Sequence, residues 1–292
     1  MTGRETASGA PTTSTPSLHV NISIMFRELE PLRRPAAAAA AGFDAVECWW
    51  PFPGAEPTDA ERERFVRSFR EAGVRLAALN LDGGELAKGE RGLLSHPGRE
   101  AHVERNLAAA VDLAGELGCG IINALYGNRV LGLDPRDQDE LAVTHLGMAA
   151  AAARSIGATV VVEALNPWEN PQYPLNRTAQ VIELMGRVER DSGERIRCLY
   201  DIYHAQRTEG ELIETIRRHG ASFGHVQLAD APGRGEPGSG EIAFPRVLEA
   251  LRTSGYRGAV GLEYLPTTTT TASLAVVDAV RDALGEPSRV IP

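Results

Sequence analysis

Four apolar runs in this sequence end in a side chain that carries oxygen: TVVVE stops at Glu163, CLYD at Asp201, FGHVQ at Gln227 and AVGLE at Glu263. A carboxylate at the exit of a buried strand is costly to desolvate unless a cation or hydrogen bonds meet it. Oxygen-only donors suit hard divalent ions such as Mg²⁺ or Mn²⁺, whereas zinc favours His and Cys. Such an ion can hold the oxygens of a 2-hydroxycarbonyl compound and stabilise the ene-diolate that forms when the α-proton leaves. Two carboxylates on opposite sides of that ligand can pass the proton off and back on. Glu163 and Glu263 fit that pair, and Glu163, Asp201, Gln227 and Glu263 fit the metal set. A bland alternative makes each acid a helix cap or a local ion partner. Four oxygen-bearing side chains at four successive strand exits favour one shared site.

Neighbouring residues extend the set. His204 follows Asp201 by three positions in DIYH, which keeps it at the same end of the chain's strands and within reach of a ligand. Its alternative is a hydrogen-bonded structural histidine. Glu169 stands six residues past Glu163 in NPWENP, and Arg234 is the only cation of ADAPGRGEPGSGE; both can also be read as solvated loop charges. Trp50 and Trp168 lie in loops of that same end, where they would exclude water or meet another subunit. His225, two residues before Gln227, faces the same side of its strand and reads as a deeper layer or as support for the ligands. The run Thr267–Thr271 reads as a β-branched loop.

The elements that must position these residues recur along the chain as amphipathic helix, glycine, apolar run. Gly42, Gly73, Gly118, Gly157, Gly193, Gly220 and Gly255 each precede a run, as expected of a helix C-terminus that needs a left-handed residue. With the opening LHVNISI there are eight candidate strands. The helical spacing between them is clear in Phe65, Val66 and Phe69, in Val103, Leu107, Val111, Ala114 and Leu117, and in Val181, Leu184, Met185 and Val188. Leu212, Ile213 and Ile216, then Val247, Leu248 and Leu251, repeat it, and a last helix is expected from about Ala272 to Leu284. Eight strands alternating with eight helices predict an α/β fold, a (β/α)8 TIM barrel forming a single domain over residues 17–292. A doubly wound sheet would want a glycine-rich phosphate loop, and no GxGxxG or P-loop follows an early strand. Three strand-to-helix connections are long, at Pro51–Thr58, Asn166–Leu175 and Ala229–Glu241, which puts function at that face. The last of these, dense in Gly and Pro, reads as a shaped lid.

Composition bounds the partners. The chain has 292 residues, 43% of them hydrophobic, and a net charge of −9, which argues against a phosphate-backbone partner and so against nucleic acid. Small anions remain admissible because a local cation reverses the local field. Cys48, Cys119 and Cys198 lack metal-ligand spacing and read as reduced core thiols, hence a cytoplasmic setting. Residues 1–16, rich in Thr, Ser, Gly and Pro, are expected to form a disordered tail with no secretory h-region. No apolar run has transmembrane length, so no membrane partner is expected. Association into a homo-oligomer is left open.

The stretches NISIMFRELEPLRRPAAAAAAGFDAVECWWPF, YDIYHAQRTEGELIETI, FGHVQLADAPGRGEPGSGEI and GYRGAVGLEYLPTTTTTASL resemble hydroxypyruvate isomerase, a family of the xylose isomerase-like barrels. The likeness covers nearly the whole chain after residue 17, and HVQLADAPGR…EPGSGEI is its most specific part. It implies a divalent metal on Glu163, Asp201, Gln227 and Glu263, with Glu163 and Glu263 exchanging the proton. By similarity to related epimerases, Glu169, His204 and Arg234 would contact oxygens of a sugar or hydroxy-keto acid substrate. Two cationic positions common in the family are absent: Ala164-Leu165-Asn166-Pro167-Trp168 replaces Pro-Ile-Asn with its arginine, and Leu265 stands where lysine is frequent. A substrate carboxylate would then rely on Arg234, or on Arg129 of the turn after the fourth strand. The expected activity is aldose–ketose isomerisation. Ketose epimerisation by the same two glutamates and a non-catalytic sugar-binding barrel are the alternatives. A nuclease of the same barrel group would want several metal-binding histidines and a basic face.

Overall fold

The apolar runs pair edge to edge until the last meets the first. In the structure, a computed structural model that describes residues 16–286, eight parallel strands close a barrel in the order β1-β2-β3-β4-β5-β6-β7-β8. They are β1 (Leu18–Asn21), β2 (Ala45–Cys48), β3 (Arg75–Asn80), β4 (Ile121–Asn123), β5 (Thr159–Glu163), β6 (Arg197–Asp201), β7 (Phe223–Leu228) and β8 (Val260–Leu262). Closure is made by β1, which pairs Val20 with Val46 on one side and Leu18 with Val260 on the other. Both faces of each strand are covered, one by the interior and one by helices, so strands such as β5 are apolar without alternation. The expected tail falls outside the described residues except for Pro16.

Helices α1 (Arg34–Ala40), α2 (Asp59–Ala72), α3 (Glu100–Leu117), α4 (Pro135–Ser155), α5 (Thr178–Ser192), α6 (Ile202–Thr208), α7 (Leu212–His219), α8 (Phe244–Thr253), α9 (Thr270–Ser273) and α10 (Val277–Leu284) surround the barrel. Their apolar stripes, for instance Phe65, Val66 and Phe69 of α2, are buried against it. A capping box between Thr58 and Glu61 starts α2 just where the first long loop ends.

Three expectations need correction. Gly220 does not terminate its helix in the left-handed region as the other six do; its φ is −55°. It is small because a Cβ there would come within 2.2 Å of Ser254 Oγ. The threonine run is only partly a loop. Thr269 caps α9, and Thr270 Oγ1, buried, accepts from Phe26 N–H and donates to Glu28. The last helix is broken into α9, a 3₁₀ turn at Leu274–Val276, and α10.

Candidate active site

Register brings the acids together. Asp201 ends β6 directly beside Gln227 of β7, and Gln227 lies beside Gly261 of β8. Asp201 also caps α6: its Oδ1 accepts the N–H groups of Tyr203 at 2.7 Å and His204 at 3.1 Å. Its Oδ2 is buried and has no hydrogen-bond partner among the described residues, and the same holds for Gln227 Oε1. The Gln227 amide is oriented from behind, where its Nε2 donates to Glu47 Oε2 at 2.8 Å. Glu163 Oε1 accepts from Asn123 Nδ2 at 3.1 Å. Ligand atoms of Glu163, Asp201 and His204, all buried, lie within 4.8 Å of one another and can hold a metal ion. A buried polar atom left unsatisfied costs about 1–3 kcal/mol. Two such oxygens in adjacent strands, with the Glu163 carboxylate beside Asp201, are the donor chemistry that a hard divalent cation satisfies.

Glu263 stands just past β8 and is served by donors on every side. Oε1 accepts from Asn21 Nδ2 and Trp49 Nε1, each at 2.8 Å, and Oε2 accepts from Arg234 Nη2 at 2.9 Å. The same guanidinium reaches 3.9 Å from Asp201 Oδ2 and lies over the Tyr203 ring. Arg234 thus supplies the positive charge these acids require. It sits on the expected lid, which is folded around one carboxylate: Asp230 accepts the backbone N–H groups of Ala231, Gly238, Gly240 and Ile242. That cage holds Arg234 at a φ of 57°, a conformation a non-glycine residue adopts only when its surroundings over-determine it.

Burial pushes the Glu163 carboxyl up to about 8, helped by the negative charges of Glu263 and Asp201. Glu263 is pushed up to about 7 by burial, with Arg234 pulling against it. Asp201 is raised by burial too, opposed by Arg234. For Arg234, burial works against the charge, but Glu263 and Asp201 more than reverse it. His204 is driven well below its ordinary range by burial, then by Arg234 and Arg91, so it is a neutral imidazole. Its Nδ1 accepts from Asn166 N–H at 3.1 Å, which leaves Nε2 toward Asp201 Oδ2 at 4.0 Å.

Glu169 remains near the site: Oε1 accepts the Tyr203 hydroxyl and Oε2 accepts from Asn166 Nδ2 at 3.0 Å. A cavity of about 650 Å³ opens above the barrel, lined by Glu163, Glu169, His204, Arg234 and Glu263 together with Trp49 and Trp50. Trp168 is not part of it; 73% exposed, it hands its Nε1–H to the Arg207 carbonyl. Arg129 is also removed from the site, because it is held to α4 by Asp139 at 2.7 Å and by the Pro135 carbonyl.

Sequence reasoning missed the layer beneath. Glu47, buried in β2, accepts from His225 Nε2 at 2.6 Å as well as from Gln227. Burial alone would raise its carboxyl, but His225 turns the balance and holds it low. The carboxylate lies against Gly261, where a Cβ would come within 2.0 Å of Oε1. The signals were a lone glutamate inside AVEC and a glycine inside AVGL. Trp49, rather than Trp50 or Trp168, is the tryptophan that touches a glutamate of the site. His225, expected as a deeper layer or as support for the ligands, lies two residues before Gln227 on β7 and shares the Glu47 carboxylate with it.

Comparison with known proteins places this geometry in a family. Residues 35–281 match the family model described as xylose isomerase-like TIM barrel. Hydroxypyruvate isomerase of Escherichia coli is 35% identical over 261 residues, spanning 89% of this chain and 98% of its own. The 2-oxo-tetronate isomerase of Cupriavidus necator is 36% identical over 265 residues, spanning 89% and 96%. The crystal structure of a Brucella melitensis protein described as AP endonuclease, family 2, superposes with a TM-score of 0.81 at 33% identity, covering 90% of this chain and 98% of that one.

Proposed function

The chain belongs to the xylose isomerase-like TIM barrels and, among them, to the hydroxypyruvate isomerase family; from that premise we propose that it interconverts a 2-hydroxyaldehyde and a 2-hydroxyketone that carry a carboxylate, hydroxypyruvate or a four-carbon homologue. The observation that carries this reading is the pair of buried, partnerless oxygens on adjacent strand ends, Asp201 Oδ2 and Gln227 Oε1, in the same site as Glu163 and Glu263, which line the cavity. Glu163, Asp201, Gln227 and Glu263 would hold Mg²⁺ or Mn²⁺, which when bound supplies positive charge to the oxygens of the reacting hydroxycarbonyl unit.

The chain's own residues do the rest. One of Glu163 and Glu263 takes the proton from the hydroxyl-bearing carbon, and a proton is returned to the former carbonyl carbon. A buried carboxylate beside the substrate can both accept and return a proton. Arg234 balances their charge, and neutral His204 and the Glu169–Tyr203 pair offer hydrogen bonds to substrate hydroxyls. Trp49 and Trp50 screen the cavity from water. The three buried free cysteines are consistent with a reducing, cytoplasmic setting. Among the described residues no helix is long and apolar enough to cross a membrane. A nuclease reading finds no support in a net charge of −9 or in a metal-capable group with a single histidine.

Turnover in deuterated water with Mg²⁺ tests the reading. Hydroxypyruvate should give its aldehyde isomer with one solvent deuteron on the carbon that was the ketone. A deuteron returned to the original carbon of a ketose, with inverted configuration, would make the protein an epimerase. Binding of sugars and sugar acids with no deuterium uptake would make it a non-catalytic barrel.

A further inference from the structure

A carboxylate on the substrate of the proposed reaction needs a cation. Arg234 does not meet the need, because Glu263 and Asp201 already engage it. Three other arginines line the cavity: Arg27, Arg91 and Arg99. Of these only Arg91 is fixed by its side chain. Its Nε donates to Asn170 Oδ1 at 2.7 Å, and its Nη1 donates to the carbonyls of Glu90 at 2.7 Å and Leu86 at 3.1 Å. Asn170 is itself buried and tied back to the Asn166 carbonyl at the exit of β5. These bonds use Nε and Nη1. Nη2 has no hydrogen-bond partner and the guanidinium has no carboxylate partner among the described residues.

The backbone is held equally firmly. Gly127 N–H donates to the Arg91 carbonyl at 3.0 Å, and Gly92 bridges to Tyr126 beyond β4. Gly92 has a φ of 97°, and a Cβ on it would come within 2.0 Å of the Leu125 carbonyl oxygen, so only glycine lets this segment pack there. Half-buried Arg91 lies close enough to the site for its charge to act on His204 and for Glu163 and Glu169 to act on it.

We propose that Arg91 is the specificity residue for the substrate carboxylate, with Nη2 as the donor that reads it. A pinned guanidinium that lines the cavity and keeps one donor unused is preorganised for an anionic oxygen, and it selects hydroxy-oxo acids over neutral ketoses of the same length. The proposal rests on the isomerase reading, and its test separates the two.

The Mg²⁺-loaded full chain and its Arg91→Met variant are compared on hydroxypyruvate and on dihydroxyacetone, in which CH₂OH replaces the carboxylate. The ratio of kcat/KM for the acid to that for the neutral ketose should fall about 10- to 100-fold, the span a charged hydrogen bond supports. An unchanged ratio, whether both rates fall together or neither does, overturns the assignment and leaves Arg91 a structural tie. Calorimetric titration with tartronate, a hydroxydicarboxylate that cannot isomerise, is run on the same proteins. Should the wild type turn over no hydroxy-oxo acid, the isomerase reading fails, and tartronate decides the subsite alone. A Kd raised about 10- to 100-fold in Arg91→Met sustains it, and an equal Kd overturns it. Arg91→Gln, which can still donate to the Glu90 and Leu86 carbonyls, replaces Arg91→Met if the latter does not fold, and is expected to lose the same preference.

Discussion

Replacing Glu163 by glutamine is the natural probe of proton transfer, and the structure dictates that it does more than remove a charge. Asn123 Nδ2 donates to Glu163 Oε1 at 3.1 Å, and Asn123 Oδ1, buried, has no partner among the described residues. In Glu163→Gln that donor captures the amide oxygen, so the amide NH₂ turns toward Asp201 and the site. While Asn123 keeps its orientation, reversing the amide would forfeit a hydrogen bond worth about 1 kcal/mol and set two N–H donors against each other, which costs about 1–3 kcal/mol in a buried place. A cation that needs an oxygen there must overcome that sum. Since about 1.4 kcal/mol is a factor of ten, its affinity should fall on the order of 30- to 700-fold.

Mn²⁺ titration followed by electron paramagnetic resonance measures that loss directly. Rates are then taken at saturating Mn²⁺, where kcat should remain lowered by about 10²–10⁴, as for removal of a general acid–base group. Glu263→Gln should behave alike, because Asn21 and Trp49 capture its amide oxygen and leave NH₂ facing the Arg234 guanidinium. A Glu163→Gln protein that binds Mn²⁺ as tightly as the wild type refutes the amide argument. Near-normal kcat in both variants at full occupancy moves proton transfer elsewhere, with His204 the next candidate.

Two further outcomes follow from the buried charges. In the metal-free protein Glu163 and Glu263 titrate above the ordinary carboxylate value of 4.5, near 8 and 7, so the folded state holds more protons than the unfolded one between these limits. Their contribution to stability is full below 4.5 and is lost as pH rises through the folded values. The metal-free Tm should therefore drop from about pH 5 to about pH 8, and Mg²⁺ should restore most at the upper end; calorimetry showing the opposite slope sinks the site's electrostatics. Glu47→Ala strands His225 and the Gln227 amide without their shared acceptor. Urea unfolding should show a loss of about 2–6 kcal/mol, as when two buried donors each lose their acceptor at about 1–3 kcal/mol, together with about 10- to 100-fold weaker Mn²⁺ binding, as when the group behind a ligand is removed.

The barrel was legible because its signal repeats. Each strand is a short apolar run behind a glycine, and eight repetitions average out local ambiguity. The four oxygen-bearing strand ends were legible for the same reason, since a charge after TVVV or AVGL has no place in a plain core. What escaped were residues whose role depends on a distant partner. Glu47 gave a local hint, but nothing near it in sequence says that its acceptors face Gln227, 180 residues on. Arg91 stands in a loop between β3 and α3 that looks like any charged connection. Its meaning comes from Asn170, 79 residues away, and from the glycine beside it. Trp168 misled because an aromatic in a mouth loop can face outward as readily as inward.

The division of labour around the ring explains which half could be read. Strands β5 to β8 and their exits carry the oxygen acceptors Glu163, Asp201, Gln227 and Glu263. The opposite half carries neutral donors: Asn21 on β1 and Trp49 after β2 for Glu263, and Asn123 on β4 for Glu163. Acids alone at one mouth would repel one another, and a cation alone would leave each carboxylate free to rotate. The donors fix one oxygen of each glutamate and turn the other toward the cavity, so the site keeps its shape whether Arg234 or a metal ion supplies the charge. An asparagine in a strand is an unremarkable residue until the carboxylate of the neighbouring strand is known. For that reason the acids announce themselves in sequence, while the residues that aim them become visible only when the ring is closed.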